Sequence, residues 1–133
     1  LCDANIRDEI DFHQAHGKQA TVLAVRPPSR FAVLDLVDDG TVCNFKEKPP
    51  EEVGWINGGF FVLDKKVLGL IVDDNTSWEM DPLETLAKSG ELMAFKHEGF
   101  WQPIDTLRDK RHLDQLWAER RGPWLHGQDS SKA

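Results

Sequence analysis

The chain has few cysteines, no excess of basic charge and no long apolar run. Its two cysteines, Cys2 and Cys43, lack the spacing of a metal site, which favours reduced thiols over a disulfide. A net charge of −7 argues against a nucleic-acid backbone as partner, and no apolar run approaches membrane-spanning length. We therefore expect a cytoplasmic protein that binds neither nucleic acid nor membrane.

Several catalytic signatures are also missing. The sequence has no Gly-x-Ser-x-Gly, no P-loop and no dinucleotide-binding fingerprint, so those enzyme classes have no support. Its five histidines show no metal-ligand spacing. His13 and His16 lie three residues apart on a predicted helix, and we interpret them as a solvated pair.

The 133 residues, 40% hydrophobic and 29% charged, suit a soluble protein with one core. The first residue is Leu1 rather than Met, and no secretory pattern follows, so we expect the chain to come from within a longer polypeptide. The last residues are small and polar. We predict one domain over residues 1–126 and a disordered tail over residues 127–133.

The apolar pattern alternates between helices and short strands. Predicted helices begin at Asn5, Asp64 and Asp81, and a last helix begins at Asp105 or Thr106. Predicted strands cover residues 20–25, 31–37, 41–45, 55–63 and 92–95. The inward face of the last helix is predicted to contain Leu107, Leu113, Leu116 and Trp117. Asp38-Asp39-Gly40 indicates one hairpin inserted in the alternation, which predicts an α/β fold with a mixed sheet and flanking helices.

Polar residues at the end of a predicted strand form the first candidate site. Lys48 is a point charge that could meet a phosphate, and Glu47 beside it could accept hydrogen bonds from hydroxyls. Spacing alone favours a surface ion pair for these two residues.

Asn57-Gly58-Gly59 interrupts the strand that follows and forms the second candidate. Glycines allow close backbone approach, and an Asn amide can both donate to and accept from a sugar. A β-bulge with a structural Asn is the alternative interpretation.

Asp105 is the third candidate. A carboxylate suits Mg²⁺, a hard cation that takes oxygen ligands and shares them with substrate phosphates. Asp105 could instead cap the last helix. One carboxylate cannot hold a catalytic metal, so a second ligand would have to come from elsewhere.

Taken together, the motifs resemble those of the sugar-phosphate nucleotidyltransferases. The matching segments are residues 9–13, 15–18, 27–31, 45–49, 56–62, 91–95 and 99–110, within a match from about Asp3 to Trp124. Phe-Trp-Gln-Pro-x-Asp-Thr together with Ile-Asn-Gly-Gly-Phe-Phe-Val is similar to the cytidylyl-transferring branch of the family.

The resemblance implies the C-terminal part of a Rossmann-like nucleotidyltransferase fold. It also implies a reaction, in which CTP and glucose 1-phosphate give CDP-glucose and pyrophosphate with Mg²⁺, in a homo-oligomer of the full-length protein. Lys48 would bind the sugar phosphate, Glu47 would bind glucose hydroxyls, and Asp105 would be one of two Mg²⁺-binding aspartates.

By the same resemblance Asn57 and Gly58 would lie against the sugar, and Ala32 would offer its backbone N–H. The segment around Ala32 departs from the family, which has Gly there. The family's glycine-rich triphosphate loop and first metal aspartate are also absent. We therefore expect the isolated chain to be inactive. The alternatives are a non-catalytic sugar-phosphate-binding or assembly remnant, and thymidylyl or uridylyl transfer.

Overall fold

A computed structural model describes residues 1–28, 31–36, 41–48, 52 and 54–125, with the backbone alone described for 31–36 and 43–48. The helices are α1 (Ile6–His16), a 3-10 helix (Lys65–Leu70), α2 (Asp81–Lys88) and α3 (Leu107–Ala118). The strands are β1 (Ala20–Val25), β2 (Phe31–Leu36), β3 (Val42–Lys48), β4 (Ile56–Leu63) and β5 (Leu92–His97). The predicted tail, residues 127–133, lies outside the described residues.

The chain divides into two compact units. The first comprises Leu1–Asp3, Val25–Ile56 and the described residues from Glu98 onward. The second comprises Ala4–Ala24 and Asn57–His97.

The second unit is built on a three-stranded sheet with strand order β4-β1-β5. Strand β1 lies in the middle and is buried along nearly its whole length, as expected for a strand covered on both faces. Helices α1 and α2 pack against β5. The core contains Ala20, Val67 and Leu86, and partly buried Leu70, Trp78, Leu83 and Leu92 pack on it. The predicted α/β class and mixed sheet are confirmed.

Most predicted helix ends of the second unit are confirmed. The Asn5 side chain accepts a hydrogen bond from the Arg7 N–H, and Gly17 ends α1 with a left-handed φ of 66°. Asp64 caps the 3-10 helix through the Lys66 N–H. The prediction that Asp81 caps α2 is wrong by one position. Asp81 is the first helical residue, and the cap position holds a methionine, which makes no side-chain cap bond.

Thr21, fully buried in β1, contacts both histidines of α1. Its Oγ1 lies 2.9 Å from Nδ1 of His13 and 2.6 Å from Nε2 of His16, while the Lys18 N–H donates to Nδ1 of His16 at 2.9 Å. A neutral imidazole has one donor and one acceptor nitrogen, so this network assigns the His16 proton to Nε2. The interpretation of a solvated pair is therefore wrong, because both rings face a buried hydroxyl of the adjacent strand.

This arrangement predicts that the second unit loses stability in mild acid. Burial, followed by the charges of His13 and Lys18, lowers the pKa of His16. The unfolded chain, with a pKa of about 6.5, then binds a proton before the folded chain does. We expect the free energy of unfolding to fall as the pH drops from about 6.5 towards the lower folded-state pKa of His16. Denaturant unfolding at pH 7.5, 6.5 and 5.5 measures this free energy of unfolding.

The matched variant for this pH dependence is His16→Gln. Its free energy of unfolding should change less steeply with pH than that of wild type. Burial raises the pKa of Glu9, which acts in the opposite sense. Glu9 is present in both proteins, so its contribution cancels in the comparison. Equal slopes in the two proteins would contradict the assignment to His16.

In the first unit, β2 and β3 form an antiparallel ribbon. Ala32 lies opposite Glu47 and Phe31 opposite Lys48, with a register irregularity between Asp35 and Leu36. The two predicted hairpin strands are therefore present, and the predicted turn at residues 38–40 lies outside the described residues. Strand β3 extends to residue 48 rather than ending at 45, because backbone pairing with β2 continues through the charged residues.

Helix α3 also belongs to the first unit. Thr106 caps it, and Asp109 completes a capping box. Leu113 is 4% exposed, but Leu107 is 71% and Trp117 is 62% exposed, so the prediction that these two face inward is wrong. Leu113 is the buried residue of the helix, Asp109 and Leu116 are partly buried, and the remaining side chains of the helix are exposed. None of the helices described here is long and apolar enough to cross a membrane.

Candidate functional site

The ribbon of β2 and β3 brings three of the predicted site residues together in the first unit. Ala32 and Glu47 are cross-strand partners, and Lys48 is the next residue and the last of β3. Paired residues of an antiparallel ribbon have Cα atoms about 4.5–5.5 Å apart. The end of the ribbon therefore places a lysine and a glutamate of the chain beside the backbone of Ala32. Their roles in binding stay predictions.

Asp105 lies immediately before the cap of α3. The hydroxyl of Thr106 accepts a hydrogen bond from the Asp109 N–H at 3.2 Å, so Thr106 caps the helix. The alternative prediction, that Asp105 is the helix cap, is therefore wrong. The Asp105 side chain is exposed, and within the described part of the chain its carboxylate has no hydrogen-bond or ion-pair partner. This carboxylate is available to a ligand.

The carboxylate of Asp105 is chemically suited to bind a divalent cation. Mg²⁺ is held through one or two carboxylates, substrate phosphates and waters rather than in an all-protein cage. Among the residues that the structure describes, no group of three or more His, Cys, Asp or Glu side chains could hold a metal. An exposed single carboxylate fits the open mode of binding, in which the remaining ligands come from substrate, water and other carboxylates.

The Asp109 carboxylate organises the loop that carries Asp105. Its Oδ2 accepts hydrogen bonds from the Asp105 N–H at 3.2 Å, the Thr106 N–H at 2.9 Å and the Thr106 hydroxyl at 2.8 Å. Its Oδ1 accepts from Nε2 of Gln102 at 3.3 Å. The hydrogen bond from the Thr106 side chain is the largest cause that lowers the pKa of Asp109. The group is therefore a charged acceptor at neutral pH.

A cleft of about 630 Å³ lies at this end of α3. It is lined by Pro28, Gln102, Thr106, Arg108, Asp109 and His112. Arg108 and His112 are four residues apart, so they lie on the same side of the helix. The cleft combines a guanidinium, an imidazole and a primary amide, which are donors suited to phosphate and sugar oxygens.

Asn57 and Gly58 lie at the start of β4 and belong to the second unit. The first residue of the strand, Ile56, is assigned to the first unit. The Asn57 Oδ1 accepts the Gly59 N–H at 2.8 Å, and its Nδ2 donates to Oε1 of Glu79 at 3.1 Å. Gly59 has φ 81°, a left-handed conformation that favours glycine. The Asn57 amide therefore has a structural role. It retains one donor and one acceptor for a ligand.

Sequence reasoning did not identify Asp109, Arg108 or His112 as functional candidates. The signal for Asp109 was present in the Thr-x-x-Asp spacing, which is a capping-box pattern with an acid at the third helical position. The further bonds of Asp109 to Gln102 and Asp105 depend on how the loop folds back over the helix, and no spacing rule contains that information.

Comparisons with known proteins give a consistent result. Residues 1–109 match the nucleotidyl transferase family. The chain is 55% identical over 124 residues to a glucose-1-phosphate cytidylyltransferase of Salmonella typhi, covering 93% of this chain and 48% of that protein. It is 40% identical, with the same two coverages, to a Bacillus subtilis strain 168 protein described as a glucose-1-phosphate cytidylyltransferase.

More distant similarity extends beyond the cytidylyltransferases. The chain is 33% identical to the mannose-1-phosphate guanyltransferase of Saccharomyces cerevisiae, covering 82% of this chain and 32% of that protein. In structure it is similar to a Bacillus anthracis protein described as a glucose-1-phosphate thymidylyltransferase, with a TM-score of 0.56 and 18% identity, covering 100% of this chain and 53% of that one. This likeness confirms the predicted nucleotidyltransferase fold.

The chain spans about half the length of the curated cytidylyltransferases that it matches. The family match covers residues 1–109 of 133, which is most of the chain. The chain therefore belongs to the nucleotidyl transferase family.

Proposed function

We propose that this chain is the sugar-phosphate-binding part of a glucose-1-phosphate cytidylyltransferase, which makes CDP-glucose and pyrophosphate from CTP and glucose 1-phosphate. The observation that carries the proposal is the 55% identity to the Salmonella typhi enzyme over 93% of the chain. The exposed Asp105 carboxylate and the lysine at the end of the ribbon supply the charges that such a reaction uses.

In the proposed reaction an oxygen of the sugar phosphate attacks the α-phosphorus of CTP in line. The bond from that phosphorus to pyrophosphate breaks. Both reactants are anionic, so catalysis rests on alignment and charge neutralisation. Lys48 would pair with the phosphate of glucose 1-phosphate, and Glu47 would accept hydrogen bonds from the glucose hydroxyls. Ala32 would offer its N–H to the sugar, and Asn57 and Gly58 would contact it.

Mg²⁺ is the proposed metal, and Asp105 is its ligand from this chain. When bound, the ion would neutralise charge on the phosphates during transfer. The role of Asp105 is to hold one carboxylate oxygen towards the cation. Further ligands would come from the substrate, from water and from a second carboxylate of the complete protein.

CTP is the proposed nucleotide because identity to the cytidylyltransferases, at 55% and 40%, exceeds the 33% to a guanyltransferase. Thymidylyl or uridylyl transfer is the alternative within the family. We further propose a cytoplasmic homo-oligomer without nucleic-acid or membrane partners. The net charge of −7 supports the proposal that nucleic acid is not a partner.

Lys48→Ala in the complete gene product that carries this chain is expected to raise the KM for glucose 1-phosphate about 10- to 100-fold, with a smaller effect on kcat. The reason is the loss of a charge-assisted hydrogen bond worth about 1.5–3 kcal/mol. Pyrophosphate release at saturating CTP measures both constants. Lys65→Ala, at an exposed lysine of the 3-10 helix, is the matched control and should leave them unchanged.

The same assay separates the proposal from its alternatives. An unchanged KM in Lys48→Ala would contradict the phosphate role of Lys48. Glucose 1-phosphate binding that depends on Lys48, without turnover by the complete gene product, would favour a non-catalytic sugar-phosphate-binding module. Faster turnover with dTTP or UTP than with CTP would assign the other base.

A further inference from the structure

We propose that Asp109 is a positioning residue that holds the Asp105 loop in its metal-binding conformation. This inference rests on the proposed metal role of Asp105. Asp109 itself touches neither metal nor substrate in the proposal. It acts through the backbone of Asp105 and Thr106 and through the side chain of Gln102.

The loop before α3 needs such a contact. Gln102 is fixed by backbone hydrogen bonds with Leu1, both at 2.8 Å, but residues 103–105 of the loop belong to no helix or strand, so regular backbone pairing does not fix their conformation. A metal-ligating or catalytic side chain must be held to within about 0.5 Å of its working position. Asp109 is anchored on the first turn of α3 and reaches back to two points of the loop, at Gln102 and at Asp105.

The hydrogen bonds of Asp109 exceed what helix capping requires. A capping box needs only two reciprocal bonds, one from the side chain of the third helical residue to the cap N–H and one in return. Here these are the Thr106 N–H to Asp109 Oδ2 and the Asp109 N–H to Thr106 Oγ1. The bonds from the Asp105 N–H and from Gln102 Nε2 are additional, and both fall on the loop.

These additional bonds suggest two variants that both weaken the cap of α3 but differ in their effect on the loop. Asp109→Ala and Thr106→Ala each remove half of the capping box, so both should weaken α3 similarly. Only Asp109→Ala removes the acceptor of the Asp105 N–H and leaves the Gln102 side chain with its bond to the Pro103 carbonyl alone. Asp109→Asn keeps one carbonyl acceptor without the charge. Its hydrogen exchange and Mn²⁺ affinity should lie between those of wild type and Asp109→Ala.

The first readout needs no metal. Hydrogen exchange of the 102–106 segment, followed by mass spectrometry on the complete gene product, should be at least about tenfold faster in Asp109→Ala, since the Asp105 amide loses its acceptor. Thr106→Ala should change exchange in this segment much less. Equal exchange in the two variants would overturn the proposal.

The second readout is Mn²⁺ binding, measured by electron paramagnetic resonance of the free ion, because Mn²⁺ takes the same oxygen ligands as Mg²⁺. Asp109→Ala should weaken Mn²⁺ binding about 10- to 100-fold, the usual range for residues that orient a ligand. Thr106→Ala should weaken Mn²⁺ binding much less, because it leaves the bonds of Asp109 to Gln102 and Asp105 in place. Equal weakening by both variants would show a helix-stability effect and overturn the proposal.

Asp105→Asn serves as the reference that separates the two proposals. Loss of Mn²⁺ binding in Asp105→Asn but not in Asp109→Ala would leave the metal role of Asp105 intact and make the positioning role wrong. Unchanged binding in Asp105→Asn would make the metal role wrong, and the positioning role would fall with it.

Discussion

Leu86→Ala is expected to lower the free energy of unfolding by about 2–5 kcal/mol. Leu86 is 2% exposed on α2 and packs in the core with Ala20 and Val67. Truncation removes buried methyl groups and leaves a cavity that the central strand β1 cannot fill. Urea unfolding followed by circular dichroism measures the loss, which should be a shift of midpoint at a constant slope.

Leu107→Ala is the matched control for Leu86. It makes the same chemical change on a helix, but Leu107 is 71% exposed. Leucine and alanine both favour helices, so the expected change is within about 0.5 kcal/mol. A comparable loss in both variants would contradict the core assignment.

Asp105→Asn in the complete gene product is expected to lower kcat/KM about 10²- to 10³-fold, the cost of losing a group that stabilises developing charge. Asp105 is exposed and its carboxylate has no partner within the described residues, so the free energy of unfolding should change by no more than about 0.5 kcal/mol. Pyrophosphate release across a Mg²⁺ titration measures the effect. Excess Mg²⁺ should restore part of the activity.

The control for Asp105 is Asp74→Asn, an exposed aspartate in a loop of the second unit. It removes one negative charge without touching the proposed metal site, so activity and Mg²⁺ dependence should match those of wild type. An activity loss below tenfold in Asp105→Asn, or a similar loss in Asp74→Asn, would contradict the metal role.

Local chemistry in the sequence predicted much of the fold. The β-branched apolar run at residues 20–25 coincides with β1, and the caps Asn5, Asp64 and Thr106 each hold a nearby backbone N–H. Gly17 adopts the left-handed conformation expected of a helix stop. These features depend on residues within a few positions of each other, which is why pattern reading succeeds for them.

Predictions that depended on distant parts of the chain were less accurate. Periodicity shows which residues of a helix share a face but not how much of the helix is covered, so Leu107 and Trp117 were placed inward wrongly. The partner of His13 and His16 is Thr21, on another element. For the candidate site, residue types and the family resemblance suggested Asp105, but the contacts of Asp109 required the folded loop.

The order of strands in the second unit has a consequence for synthesis on the ribosome. Strand β1 ends at Val25, but its neighbours β4 and β5 begin at Ile56 and Leu92. At about 5–20 residues per second, several seconds pass before the second neighbour of β1 is made. During that interval a strand destined for the centre of the sheet has unpaired edges. For several seconds of translation, β1 is therefore without the partners that cover its edges in the folded sheet.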